Sequence, residues 1–406
     1  MTSPRWPIDV GSPRWIATLG ALTGLIALAI DMNLPAQPTI AASLGVSADT
    51  AQLNLSLFMV GFAIAQLLIG YLADAWGRRK VLIAGLVVFA ASAIACAFAP
   101  NIETLIACRV LQGIGGSAAP VIARAMIRDT QPATQAARLL SVMLAALAIA
   151  PMIAPTIGGL VMAAFGWRAI FATLALVGVV LLVIVHGNLG ETLPPERRVV
   201  ASPAGLVRNF RLFFSTPGTR LPLAIGCTSF AGQFAYVADS PFVLMEGYGV
   251  SEQAFGLYFA ATAVALMFGS LLGARMIRAG RSPGAMIVTG TTILVVAGAL
   301  VTVGTRVPSL GIAGFLVPMV IFFFGTGISG PSATALALEP VPQIAGTASA
   351  AVGFLTMTAG AISGYLTTKI GGSDPRIFAL VAAVMGAFAA ACAYIAAAAR
   401  HRRKVC

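Results

Sequence analysis

Charge is what this sequence has least of: Asp, Glu, Lys and Arg make up 9% of its 406 residues, whereas a soluble domain carries about 25%. Too few polar groups exist to coat a water-facing surface, which excludes a soluble enzyme. Histidine is nearly absent: His186 and His401 sit near expected helix ends with no ligand cluster around them, so neither a metal site nor a metal cofactor is expected. Cysteine pairing is absent too. Cys96, Cys108, Cys227, Cys392 and Cys406 form no CxxC motif, and four of the five lie inside apolar runs, where they read as small packing residues.

What the chain has instead is apolar length, with 59% of residues hydrophobic. A helix rises about 1.5 Å per residue and a bilayer core is about 30 Å thick, so each span needs roughly 20 mostly apolar residues. Runs bounded by Gly, Pro and charge give spans at 14–38, 50–73, 79–99, 103–127, 137–164, 167–187, 219–245, 252–278, 284–305, 309–338, 344–370 and 376–399. Ala27-Leu28-Ala29 imitates a signal-peptidase site, but so many runs follow the first that it reads more simply as an uncleaved helix.

The net charge of +12 would suggest nucleic acid in a soluble protein; here its placement decides its meaning. With the N-terminus inside, only Arg168, Arg306, Lys369 and Arg376 fall outside and Arg109 within a span. The remaining basic residues, from Arg5 and Arg14 through Arg78-Arg79-Lys80 to Lys404, fall on the cytoplasmic side. Both termini are therefore expected in the cytoplasm, no nucleic-acid partner is expected, and the lipid bilayer is the surrounding partner. The connection 188–218, with Pro194-Pro195 and a basic cluster, divides the chain into an N-terminal six-helix bundle at 1–187 and a C-terminal one at 219–406. Gly45-Val46-Ser47 recurs as Gly249-Val250-Ser251, and Gly70, Gly77 and Arg78 recur as Gly273, Gly280 and Arg281. Each Ser is placed to cap a helix, with Asp49 or Glu252 in its first turn. Parallel six-helix repeats mark a transporter architecture, an all-α membrane protein of two pseudo-symmetric halves.

A charge in the hydrocarbon core costs roughly 2.5–3.5 kcal/mol on insertion scales, so each needs an explanation. Asp31 lies about eight residues before the outer end of span 1 and Arg109 about eight after the outer start of span 4, both roughly 12 Å below the outer surface. Equal depth permits an ion pair or a shared water. A cation favours the charged acid while loss of water disfavours it, and opposed pulls suit a proton carrier; a fixed ion pair that only aligns helices is the alternative. Asp239 is the third group. It is either wetted at the mouth of span 7 or a contact for cationic substrates. Gln112 lies one turn from Arg109, and Tyr236 and Gln233 lie one and two turns from Asp239. They are candidate cavity residues, with packing as the commoner role for each alone.

The segment Gly70-Tyr71-Leu72-Ala73-Asp74-Ala75-Trp76-Gly77-Arg78-Arg79-Lys80 joins a glycine for close helix approach, a glycine for a tight turn and a carboxylate at the membrane edge. It resembles the signature of the major facilitator superfamily. Leu105 to Gly113 resembles the span 4 motif of its proton-coupled drug antiporters. Ala150-Pro151-Met152-Ile153-Ala154-Pro155-Thr156-Ile157-Gly158-Gly159 is similar to their span 5 antiporter motif, with Ala at 150 and 154 where Gly is usual. Asp31 within Ala29 to Pro35, Arg124 and Arg128-Asp129 ending span 4, and Glu191 to Arg198 look like the bicyclomycin-resistance and chloramphenicol-efflux group.

The resemblance implies twelve spans and export of drugs or small metabolites from the bacterial cytoplasm across the inner membrane. A monomer would work by alternating access, with the proton as its only coupling ion and no cofactor. It implies that Asp31 carries the proton with Arg109 as coupling partner. Gly70, Asp74, Gly77, Arg78 and Asp129 would form a cytoplasmic gate bearing on the start of span 11 near Gln343. In the second half Ile277 stands at the Asp74 counterpart, which makes the latch one-sided. Pro151, Pro155, Gly158 and Gly159 would bend span 5 and let it close on a neighbour across the seam between halves. Asp239 departs from the group, where a small neutral residue is common. A proton-coupled exporter is the reading that the span 5 motif and the Asp31–Arg109 pair favour. An uptake symporter of the same fold competes with it. A membrane-embedded enzyme or channel would need a nucleophile, metal cluster or charge ring that the sequence does not present.

Overall fold

The computed structural model describes residues 10–198, 203–372 and 374–405; Arg5, Cys406 and residues 199–202 of the expected connection lie outside them. The described residues form helices and turns without a strand. In chain order the helices are α1 (Pro13–Asp31), α2 (Gln37–Leu44), α3 (Ala48–Trp76), α4 (Arg78–Ala97), α5 (Ile102–Gly116), α6 (Ala118–Thr130), α7 (Ala133–Phe165) and α8 (Trp167–Asn188). There follow α9 (Pro203–Ser215), α10 (Arg220–Pro241), α11 (Glu252–Arg278), α12 (Pro283–Gly304), α13 (Ala313–Leu338), α14 (Ala345–Gly371) and α15 (Pro375–Val405). Among the described residues, eleven stretches are long and apolar enough to cross a membrane; the apolar part of α7, Ile149–Phe165, is shorter. Leu257, Ile370, Val183 and Leu176 are exposed on these helices. Apolar surface of that extent would drive association in water and is the natural face toward lipid.

Helix starts follow local chemistry. Ser12 caps α1 by accepting from the Trp15 amide at 3.3 Å, with Pro13 in the first turn. Asn101 caps α5 through the Thr104 amide at 2.9 Å, and Ser251 caps α11 through Ala254 at 3.3 Å, ahead of Glu252. Ser47 stands just before α3 with its hydroxyl 2.9 Å from that of Thr50.

Three expected spans are broken, each at a proline. The first, taken as continuous over 14–38, ends as α1 at Asp31 and passes through the 3₁₀ turn Leu34–Ala36 into α2. Pro35 disfavours helical backbone at Leu34 and brings no N–H of its own. The fourth changes from α5 to α6 at Ser117, three residues before Pro120. The seventh ends at Pro241 and continues as the π-helical turn Phe242–Gly247.

Contacts divide the chain into two compact units: one runs up to Ala36 and over Leu57–Gly205, the other comprises Gln37–Ser56 and the chain from Leu206 on. In the first, α1 packs on α7, and α4 packs on α5 and α8. In the second, α13 lies between α11 and α12, while α10 packs on α13, α14 and α15. Its core is aromatic: Tyr236 stacks between Phe259 and Phe315, each at a centroid distance of 6.0 Å, with Phe323 edge-on at 5.2 Å.

The repeated glycines share a backbone state. Gly77 has φ 98° and Gly280 has φ 90°, a region that L side chains avoid. A Cβ on Gly280 would meet open space, whereas one on Gly77 would run into the Glu191 carboxylate. Gly280→Ala is therefore expected to cost about 1–2 kcal/mol from backbone strain alone. Gly77→Ala should lower the midpoint of thermal unfolding further, as followed by fluorescence-detected size exclusion; equal losses would show that the Glu191 contact carries no weight.

Candidate functional site

The buried charge centre of the first unit is built where α3, α5 and α1 meet. Gly61 leaves no room for a Cβ beside the Val110 carbonyl, nor Gly113 beside the Phe58 carbonyl, so α3 and α5 approach backbone to backbone. This closeness lays the Arg109 guanidinium over the Phe58 ring at 4.0 Å and within 5.7 Å of Phe171. Arg109 is 0% exposed; it donates to Gln112 Oε1 at 2.7 Å and to the Ala29 carbonyl at 3.2 Å.

Asp31 is buried as the last residue of α1, two residues after that carbonyl, so α5 meets α1 at the expected level. Arg109 reaches α1 through the Ala29 backbone carbonyl, and Arg78 forms ion pairs with Asp74 and Asp129. What ties Arg109 to α1 here is a neutral acceptor, the Ala29 carbonyl. Gln112 is turned to Arg109, and its buried Nε2 has no partner among the described residues.

The prolines of the span 5 motif stand inside α7, each deleting one backbone hydrogen bond. Gly158 and Gly159 are buried, and a Cβ on Gly158 would overlap the Met32 carbonyl. The helix on which α7 closes at this glycine is thus α1 of its own unit, one residue past Asp31.

Arg78 organises a second cluster where α3 turns into α4. Its guanidinium pairs with Asp74 one turn earlier and with Asp129 of α6, the latter at 3.0 Å. Thr192 donates to the same Asp129 oxygen at 3.0 Å. Glu191 caps α4 from outside: its carboxylate accepts from the Arg78 and Arg79 amides at 2.8 and 3.2 Å. An anion at a helix N-terminus satisfies orphan N–H groups and the positive end of the helix together. Arg79 in turn donates to the His186 and Leu189 carbonyls at 2.6 and 2.7 Å, placing a cation at the C-terminus of α8. In the sequence Glu191 and Thr192 stand out only as part of a family likeness, which implies no contact for them. The usable signal is an acid just beyond a helix end ahead of a proline pair. Gly70 behaves otherwise than expected: nothing lies within 4 Å of its Cβ position, so no close helix approach is made there.

In the second unit Gln233 is half-buried, whereas Tyr236 and Asp239 are 0% exposed. Asp239 is therefore not wetted at a mouth. Tyr236 belongs to the aromatic core against α11, α13 and α15. Asp239 instead has Thr368 of α14 beside it, so the two do not present one polar surface. No group of three or more His, Cys, Asp or Glu among the described residues is arranged to hold a metal ion.

A transport protein of two bundled helical units with buried charges is the class that this geometry defines. The family model described as Major Facilitator Superfamily matches residues 19–364, and the chain belongs to that superfamily. A "Bicyclomycin resistance protein homolog" of Haemophilus influenzae is 31% identical over 91% of this chain and 93% of its own length. An "Uncharacterized MFS-type transporter" of Bacillus subtilis is 35% identical over 85% and 86%. A "Chloramphenicol resistance protein" of Pseudomonas aeruginosa is 32% identical over 80% and 77%. Among solved structures, a peptide transporter in complex with sulfate superposes with a TM-score of 0.77 at 15% identity, covering 97% of this chain and 96% of its own. A D-xylose–proton symporter does so with 0.71 at 17%, covering 93% and 97%. These two share the fold. The chain is a multi-pass membrane transporter and not an enzyme.

Glu191→Ala removes the acceptor for two helix-start amides, and a loss of about 1–2 kcal/mol is expected from an absent cap. The check is the thermal midpoint of the purified protein, with Glu196→Ala as the surface control; equal midpoints for the two variants would refute the capping role.

Proposed function

We propose that this chain is a proton-coupled exporter of drugs or small metabolites in the bacterial inner membrane, acting as a monomer by alternating access. In this reading twelve spans form two six-helix bundles, 1–187 and 219–406, joined by 188–218, with both termini in the cytoplasm. The observation that carries it is Asp31. A buried acid at the break of the first span, with Arg109 bound one residue pair away and Gly158 of the span 5 motif closed on the next residue, supports a proton-carrying role. With a carbonyl, an amide and an aromatic face around Arg109, Asp31 is not its sole compensation, which supports a role for Asp31 in gaining and losing a proton. Relatives named for bicyclomycin and chloramphenicol resistance support the direction and substrate class. The Arg78 cluster, with Asp74, Gly77 and Asp129, is read as the relay of the cytoplasmic gate, and Gly70 as part of its motif.

The driving force suffices. One charge moved through about 100 mV is worth about 2.3 kcal/mol, enough for roughly fifty-fold accumulation.

The test is uptake of labelled chloramphenicol, bicyclomycin and a set of amino acids into inverted vesicles, with and without a proton gradient. An exporter accumulates its substrate only when the interior is acid; gradient-driven loss of substrate from the vesicles would mark a symporter and overturn the reading. Asp31→Asn is expected to abolish gradient-driven accumulation at unchanged protein level, and a variant that still concentrates substrate would remove Asp31 from the coupling step.

A further inference from the structure

The second unit holds a buried acid that the reading above does not use. Asp239 is 0% exposed, and neither carboxylate oxygen has a hydrogen-bond partner among the described residues. No ion pair joins it to Lys, Arg or His among them. An ionised carboxylate with neither a protein donor nor a cation beside it is among the costliest groups a protein interior can hold.

No ion pair among the described residues reaches it from the elements packed on α10, nor from α11, which meets Tyr236 through Phe259 and carries a half-buried Glu252 and Tyr258 and an exposed Arg275 and Arg278. α13 has no titratable residue, and α14 has Tyr365 and Lys369, the latter exposed with its ammonium over the Tyr365 ring at 5.5 Å. α15 brings an exposed Arg376, then Cys392, Tyr394 and its basic end, and the turn Phe242–Gly247 brings an exposed Glu246. On α10 itself Tyr236 is turned into the aromatic core.

A polar neighbour on α14 bears on where the hydrogen lies. Thr368 stands beside Asp239, but its single hydroxyl hydrogen goes to the Gly364 carbonyl at 3.1 Å. Toward the acid Thr368 therefore presents only lone pairs. A hydrogen bond between these two side chains needs its proton on Asp239. α10 and α14 are pressed together here, since a Cβ on Gly364 would overlap that of Ala238.

The placement also echoes the first unit. In the register set by Gly45 and Gly249, the counterpart of Asp31 is Ala235, one helical turn before Asp239. Each acid precedes a proline, Asp31 as the last residue of α1 four before Pro35 and Asp239 within α10 two before Pro241, and the second is followed by a π-helical turn, a form that recurs at functional sites.

We propose that Asp239 is a second proton-binding site, filled in this conformation, with Thr368 accepting the hydrogen bond of the bound proton. Its use as a coupling proton rests on the exporter reading. Its occupancy does not, and infrared spectroscopy separates the two. The full chain in lipid vesicles at neutral pH is expected to show the C=O stretch of a protonated carboxylic acid that persists in Asp31→Asn and is lost in Asp239→Asn. In Thr368→Val the same band should shift to higher frequency as its hydrogen bond disappears. If Asp239→Asn fails to reach the membrane, Asp239→Glu keeps an acid and should displace the band. A spectrum indifferent to every change at Asp239 would mean that the residue is ionised and would overturn the proposal. A band present but unmoved by Thr368→Val would overturn the role of Thr368. Neither result would touch Asp31 or the direction of transport.

Discussion

Hydrocarbon offers no partner to a backbone N–H or C=O, and the rest of this structure depends on how that demand is met. Helices meet it along their length, so the places where helices stop carry the information. Pro35, Pro120 and Pro241 each interrupt a run that hydropathy alone treats as one span. Buried threonines within the helices donate back to carbonyls four residues earlier. Thr23 does so to Leu19, Thr291 to Ile287, Thr326 to Phe322 and Thr367 to Ser363. A hydroxyl spent in this way has no hydrogen left for a neighbouring acid. The polar residues of the helix interiors thus supply acceptors far more readily than donors, and a buried carboxyl among them is pushed to bring its own hydrogen.

The two arginine centres show opposite solutions to burying charge. Arg78 at the α3–α4 turn is compensated by Asp74 and Asp129, with Glu191 and Thr192 completing a network that ties four chain segments together. Removing any carboxylate there leaves charge without its match, which suits a rigid element. Arg109 is compensated by an amide oxygen, a carbonyl and the face of Phe58. Such neutral partners keep a cation in place whatever the protonation state of a nearby acid. An acid that must change charge during a cycle is served by the second arrangement; a charge relay that latches and releases as a unit is served by the first.

Span positions were legible because a run of about 20 apolar residues has few other physical readings. The breaks were less so: their prolines are visible, yet a hydropathy window averages over them, and a bend is a matter of two or three backbone bonds. The repeat was legible at Gly77 and Gly280 because only glycine takes that backbone state cheaply. Glu191 was illegible for another reason. Its bonds to Arg78 and Arg79 join residues 113 and 112 positions apart, and no local pattern announces a pairing of that span. Tyr236 and Asp239, three residues apart, were expected on one face. Three residues leave about 60° between side chains, enough for one to enter an aromatic core and the other to meet α14.

The repeat also explains why the halves need not behave alike. Each presents an acid near a proline break, but the first has Arg109 close by on α5 and the second has only Thr368. Ionising an acid near a fixed cation creates charge where part of the compensation already exists. Ionising Asp239 creates it where none does, so the second unit must rearrange, admit water or admit a cation before it can release a proton. On the exporter reading, equivalent positions in the fold would therefore differ in what accompanies proton loss: a buried cation bound two residues away on α1 would bear on Asp31, whereas no ion pair among the described residues reaches Asp239.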